Sequence, residues 1–236
     1  MNTRNQALCA WAGLIGVPLI LVGFIVSGYI LPLRADATAE QVAEFYTGNT
    51  FAIRLGLLLM MLATAGYATM ISVVRVQLGR VEGPRPVMAT LSFVGGLTAY
   101  VMLTLFVLLL AAAAFRPERN PEITQMLHDI GWFMAFLAAV PFCLQGLATG
   151  LAILGDKSGR PLFPRWVGYG GLWVFVLLLP GQILLFFHTG LFAYHGLISY
   201  WIPLFTFGGW MGLLSFAALR ASKIDAQEPS SLETAA

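Results

Sequence analysis

Charge is scarce in this chain. Of 236 residues, 13 are Lys or Arg and 11 are Asp or Glu, so charged residues make up 10% against 58% hydrophobic. Soluble domains carry about 25% charged residues, and that class is excluded. The chain has no phosphate-binding glycine loop, no cysteine cluster and no G-x-S-x-G nucleophile turn. It has no basic stripe, and a net charge of +2 offers nucleic acid no footprint. Its two cysteines, Cys9 and Cys143, lie inside apolar runs and read as small buried hydrophobes, not a disulfide. No carboxylate, lysine or arginine interrupts the apolar runs 5–33, 55–74, 86–115, 130–155 and 166–219. Ion-coupled carriers keep such groups near the midplane, so proton coupling through a buried acid, or a catalytic acid pair in the membrane core, is disfavoured.

What is present is length of apolar sequence. A membrane-crossing helix needs about 20 apolar residues. Each of the first four runs supplies one crossing, and 166–219 supplies two, with a hairpin near Thr189-Gly190 and His195-Gly196. The expected fold is an all-α integral membrane bundle of six transmembrane helices, about 9–31, 51–74, 87–114, 121–154, 166–189 and 194–219. Residues 1–219 form one domain, and 220–236 read as a disordered cytoplasmic tail. The first run far exceeds the 7–15 residues of a signal-peptide core, so it is read as helix 1 despite Ala35-Asp36-Ala37. Nine Lys and Arg flank one side of these spans and four the other. That bias puts both termini in the cytoplasm.

Two segments on the non-cytoplasmic side carry local signals. Thr38-Ala-Glu-Gln41 is a capping-box pattern, and Val42, Phe45 and Tyr46 follow at helical spacing. Residues 39–47 are therefore a short amphipathic helix between helices 1 and 2, lying on the outer surface or folded over the bundle mouth. Asn120-Pro121-Glu122 is a helix start. From there to Leu154 only Pro141 interrupts, so one helix stands proud of the bilayer and is kinked near Leu137. Its first turns hold Gln125, His128, Asp129 and Trp132 on one face. Pro180-Gly181-Gln182 is a second helix break. Gly146 and Gly150 form a G-x-x-x-G packing pair. Arg54, near a helix N-terminus, either has an acidic partner among Glu44, Glu122 and Asp129 or snorkels to the interface as an anchor that fixes the entry angle.

The segments AEFYTGNTFAIRLG, FRPERNPEITQMLHDIGWF and FPRWVGYGGLW resemble, in order, parts of an uncharacterised family of six-span bacterial membrane proteins. The resemblance implies the six-span fold and a bacterial inner membrane, and carries no ligand or catalytic residues.

Functionally, the polar groups at the outer ends point to a mouth on the non-cytoplasmic side. The candidate ligand-binding set is Glu44, Tyr46, Arg54, Gln125, His128, Asp129, Trp132, Gln182 and His188. It suits a molecule with an apolar body and one polar end. The leading expectation is a protein that binds or carries such an apolar or amphipathic molecule. A partner or scaffold subunit of a membrane complex, or a homo-oligomer, is the alternative, on the strength of the glycine-rich faces. A histidine-dependent membrane enzyme is the third class, with His128, His188 and His195, together with Asp129 or Glu44, as the metal-ligand candidates. The spacing of the histidines ties no two of them to one helix face, so no metal, no cofactor and no enzyme activity is assigned. The remaining partner is the lipid bilayer.

Overall fold

The computed structural model describes residues 3–233, with side chains at 138 and 225–233 outside the description. The described chain is helical, and six helices are long and apolar enough to cross a membrane. The molecule is an all-α, multi-pass membrane protein. Its helices are α1 (Thr3–Val26), α2 (Ala39–Gly48), α3 (Thr50–Glu82), α4 (Val87–Phe115), α5 (Pro121–Phe136), α6 (Val140–Leu154), α7 (Arg165–Leu178) and α8 (Ile202–Glu233). Helices α5 and α6 form one crossing, joined by a 3-10 turn at Leu137–Ala139. Helix α7 completes its crossing as a 3-10 stretch, Leu179–Phe186, and α8 is entered through a π turn, Leu197–Trp201.

Several boundaries differ from expectation, each for a local reason. α1 stops at Val26, not near 31. Gly28 takes φ 78°, and the Ser27 hydroxyl turns back to donate to the Gly23 carbonyl at 2.7 Å, which ends the helix. α3 runs past its apolar stretch to Glu82, where Gly83, also at φ 78°, closes it through an N–H bond to the Gly79 carbonyl. Residues 75–82 are thus helical, beyond the expected end near 74. The fifth crossing ends at Phe186, because Phe187 is extended. Residues 194–196 are a turn and not the start of the sixth. The segment expected to be a disordered tail continues α8 to Glu233, with Ala221 and Ser222 buried against the bundle; residues 234–236 lie outside the described residues.

The crossings form a ring: α1 packs on α3, α3 on α4, α4 on α5 and α6, α6 on α7, α7 on α8, and α8 back on α1. Glycine sets the closest approach. A Cβ on Gly150 would lie 2.7 Å from the Gly168 carbonyl, and one on Gly146 would lie 2.9 Å from that of Gly171, so the G-x-x-x-G pair seats α6 against the backbone of α7. Gln77 Nε2 donates to Gln6 Oε1 at 3.1 Å and to the Ala218 carbonyl at 3.0 Å, which brings the start of α1, the end of α3 and the end of α8 together at the termini end. The opposite end is capped by α2, folded over the bundle with Val42 and Tyr46 inward and Glu40, Gln41, Glu44 and Thr47 outward. The capping box is formed as expected, with both Thr38 and Gln41 engaged.

The core is divided in two. One cluster fills the termini half around Tyr67, Phe142, Trp210 and Met211. The other fills the α2 half around Tyr46, Phe106, Trp132 and Tyr200. The seam between them lies at the level where α5–α6 and α7 break.

Candidate functional site

The α2 half is built around His128. One turn on, the Trp132 indole N–H donates to His128 Nε2 at 2.9 Å, and Tyr46 Oη lies 3.0 Å from His128 Nδ1. An indole nitrogen only donates, so Nε2 holds the lone pair. The proton of the neutral ring is on Nδ1, which donates to Tyr46. Tyr29 Oη donates to Tyr46 at 3.0 Å, and the Tyr200 hydroxyl donates to the Tyr29 backbone carbonyl. All five residues are at most 1% exposed. The rings pack closely: Trp132 stacks on Phe136 with centroids 5.5 Å apart and meets Tyr29 edge-on at 5.7 Å.

Outside this layer, the surface segment before α2 is tied down. Gln125 Nε2 donates to the Ala37 carbonyl at 2.9 Å, the Ala35 N–H donates to His195 Nδ1 at 2.9 Å, and Tyr194 Oη donates to Asp129 Oδ1 at 3.3 Å. Arg34 forks onto Asp36 with two bonds of 2.8 Å. That hydrogen bond holds the Asp36 carboxyl down at about 2. Partial burial, helped by the Arg34 charge, holds His195 below its ordinary value.

The sequence-derived set therefore divides. Tyr46, His128 and Trp132 converge, but on one another, in a closed layer. Gln125 and Asp129 hold the outer segment. Glu44 and His188 are exposed on the surface. Gln182 lies away from them, at the helix breaks, where Nε2 donates to the Phe136 carbonyl at 3.1 Å. That carbonyl precedes the 3-10 turn, so the residue of one break serves the other. Among the described residues Arg54 has no acidic partner. Its Nε donates to the Ala114 carbonyl at 3.0 Å and its Nη2 to that of Phe115 at 2.9 Å, so it caps the C-terminus of α4, where the helix dipole favours a cation. Among the described residues, no three His, Cys, Asp or Glu side chains gather as a metal-binding group. Both ring nitrogens of His128 and Nδ1 of His195 are engaged in the bonds above.

The space in the bundle lies below that aromatic layer, in the seam between the two core clusters. A cavity of about 80 Å³ is bounded by Ile20, Leu21 and Phe24 of α1, Ala99, Met102 and Phe106 of α4, the turn around Phe136 and Ala139, and Leu204, Phe207 and Gly208 of α8. Its walls are apolar. Phe106 and Phe136 form its roof and at the same time pack against Trp132. A smaller void of about 10 Å³ continues past Phe106 and Phe207 toward Tyr67.

The cavity is bounded on one side by α1 and α8. Nearer the termini these helices touch: a Cβ on Gly16 would meet Met211 at 2.5 Å, and one on Gly212 would meet Val17 at 3.8 Å. One turn further, a Cβ on Gly208 would meet nothing within 4 Å. Leu21, on the facing side, both lines the cavity and is exposed on the bundle surface. None of the cavity residues had a sequence signal. They are apolar residues within apolar runs, and Phe136, Ala139 and Phe142, near Pro141, and Leu178, near Pro180, sit by a feature the chain displays.

Comparison with protein-family models, with curated proteins and with solved structures finds no match for this chain.

Proposed function

We propose that this protein binds or carries an apolar or amphipathic molecule, whose apolar part enters the seam cavity laterally from the bilayer through the gap between α1 and α8. The observation that carries the reading is the apolar cavity at the two helix breaks, open where α8 presents Gly208. Broken crossings are where multi-pass proteins build sites, because backbone irregularity is tolerated where it borders a cavity. A volume of about 80 Å³ is small beside the 300–1,000 Å³ of drug-sized pockets. It suits a stretch of a few methylenes of one hydrocarbon tail, with Met102 and Met134 as adaptable walls.

The polar set of the α2 end supports this reading from above. The His128–Tyr46–Tyr29 layer holds the roof of the cavity. Asp129, Tyr194 and Gln125 lie on the outward side, where a polar head emerging at that end meets donors and acceptors. The excess of Lys and Arg at the termini end supports cytoplasmic termini, and with them a site in the outer half of the bilayer.

The adjacent glycines of α8 supply the test. Gly208 and Gly209 both have open space around an added Cβ, but only Gly208 borders the cavity. Gly208→Leu is expected to lower the binding of a fluorescent fatty-acyl probe to the purified protein by about ten-fold or more, on the loss of several buried CH₂ contacts. Gly209→Leu should leave binding unchanged. Equal binding by wild type and both variants, at unchanged melting temperature, sinks the reading.

A further inference from the structure

A second site lies at the termini end, independent of the seam cavity. The start of α4 borders an open groove of about 460 Å³, lined by Arg85, Pro86, Val87, Thr90, Leu91 and Val94. Val87, Leu91 and Val94 recur at helical spacing and form one apolar strip running from the helix start into the bilayer region, with Val87 and Val94 well exposed. Thr90 marks the polar rim. Its Oγ1 accepts from Arg75 Nη2 at 3.2 Å.

Arg75 reaches that rim because of Gly79, one turn further along α3. A Cβ there would lie 2.6 Å from Arg75 Nη1, so the missing side chain is the space the guanidinium occupies as it folds toward α4. Arg85 lines the groove directly; its backbone carbonyl accepts from the Val87 N–H at 3.0 Å, while its guanidinium makes no hydrogen bond or ion pair among the described residues. The nearest acid in the chain, Glu82, neutralises neither. Both its carboxylate oxygens are taken by the start of α4, at 3.0 Å from the Met88 N–H and 2.6 Å from that of Ala89. The site is thus two guanidinium groups with free donors above an apolar strip. Arginine pairs with phosphate through two parallel N–H donors, and basic side chains at a membrane surface select anionic lipid.

We propose that this groove is a binding site for an anionic phospholipid, its phosphate held by Arg75 and Arg85 and one acyl chain lying along Val87, Leu91 and Val94. The apolar strip commits the site to a lipid and not to a free anion. The site does not depend on the reading of the seam cavity, and its test uses different residues.

The test is native mass spectrometry of the full chain in detergent, titrated with phosphatidylglycerol or with phosphatidylcholine of the same acyl chains. Phosphatidylglycerol is expected to bind about ten-fold more tightly, in keeping with two arginines at a membrane surface. The double variant Arg75→Gln/Arg85→Gln should remove that preference, and Arg116→Gln/Arg119→Gln, at the other end, should keep it. Val94→Trp, which fills the strip and leaves both arginines, should weaken phosphatidylglycerol binding as well, and covers the case in which the double variant fails to fold. The proposal is overturned if the two lipids bind equally, or if the preference survives loss of both arginines. It is also overturned if inorganic phosphate displaces phosphatidylglycerol at equal concentration, since the occupant is then a free anion.

Discussion

His128 shows how a single side chain is committed by its neighbours. Trp132 can only donate to it, which leaves its other nitrogen to donate to Tyr46. Replacing His128 with Leu strands the Trp132 indole N–H in an apolar layer, at about 1–3 kcal/mol, and leaves the Tyr46 hydroxyl with only its bond from Tyr29. His128→Leu should therefore lower the melting temperature of the purified protein markedly, while His188→Leu, at an exposed position, should not. A thermal-denaturation series of the two variants checks this. His195 carries a pH dependence of definite sign. Its Nδ1 must be unprotonated to accept from the Ala35 N–H, and its pKa in the fold lies below the ordinary 6.5. The unfolded chain therefore binds the proton first as pH falls, so this contribution is complete above about 6.5 and is lost as pH drops through the folded value. Hydrogen exchange at the Ala35 amide should accelerate as pH falls below about 6.5, beyond the intrinsic trend, and His195→Ala should abolish that excess.

At the scale of elements, the two broken crossings hold each other. Pro141 lacks the N–H that the Leu137 carbonyl would accept in an unbroken helix, and beside it Gln182, from the stretch that Pro180 opens, donates to the Phe136 carbonyl where the 3-10 turn begins. Gln182→Leu is expected to destabilise the protein by about 1–3 kcal/mol, while Gln182→Glu at low pH, where the protonated acid donates, should recover part of the loss. Chemical denaturation in mixed micelles measures both. Helix existence was legible at this scale: the charge-free runs mark all six crossings, and Asn120, Thr38 and Pro141 mark a start, a cap and a break where the structure has them. Helix ends were less so, because Ser27, Gly28 and Gly83 act through backbone bonds and positive φ, which apolar content does not register. Arg54 shows the limit for contacts. Its position at a helix N-terminus suggested an acid or the interface, whereas the C-terminal carbonyls of a neighbouring helix, remote in sequence, satisfy it.

At the scale of the whole molecule, six crossings place both termini at one end, and the basic residues concentrate there. A phosphatase reporter, active only outside the cytoplasm, should be silent when fused after Ala236 and active when inserted at 117–118, and the reverse pattern would invert the proposed orientation. What the sequence by itself determined is the solvent: 10% charge and uninterrupted apolar runs leave a multi-pass helical bundle as the physical solution, since backbone groups in lipid must be paired within each crossing. It also determined which residues cap, break and closely pack those helices, because those choices depend on neighbours a few positions away. The tertiary structure alone decided how each helix is rotated and where neighbouring helices part. In an apolar run nearly every face is hydrophobic, so the pattern that reveals the inward face of a soluble helix is absent. Gly208 and Gly209 read alike in the chain, and only the divergence of α1 from α8 puts one of them at the edge of a cavity and leaves the other facing lipid.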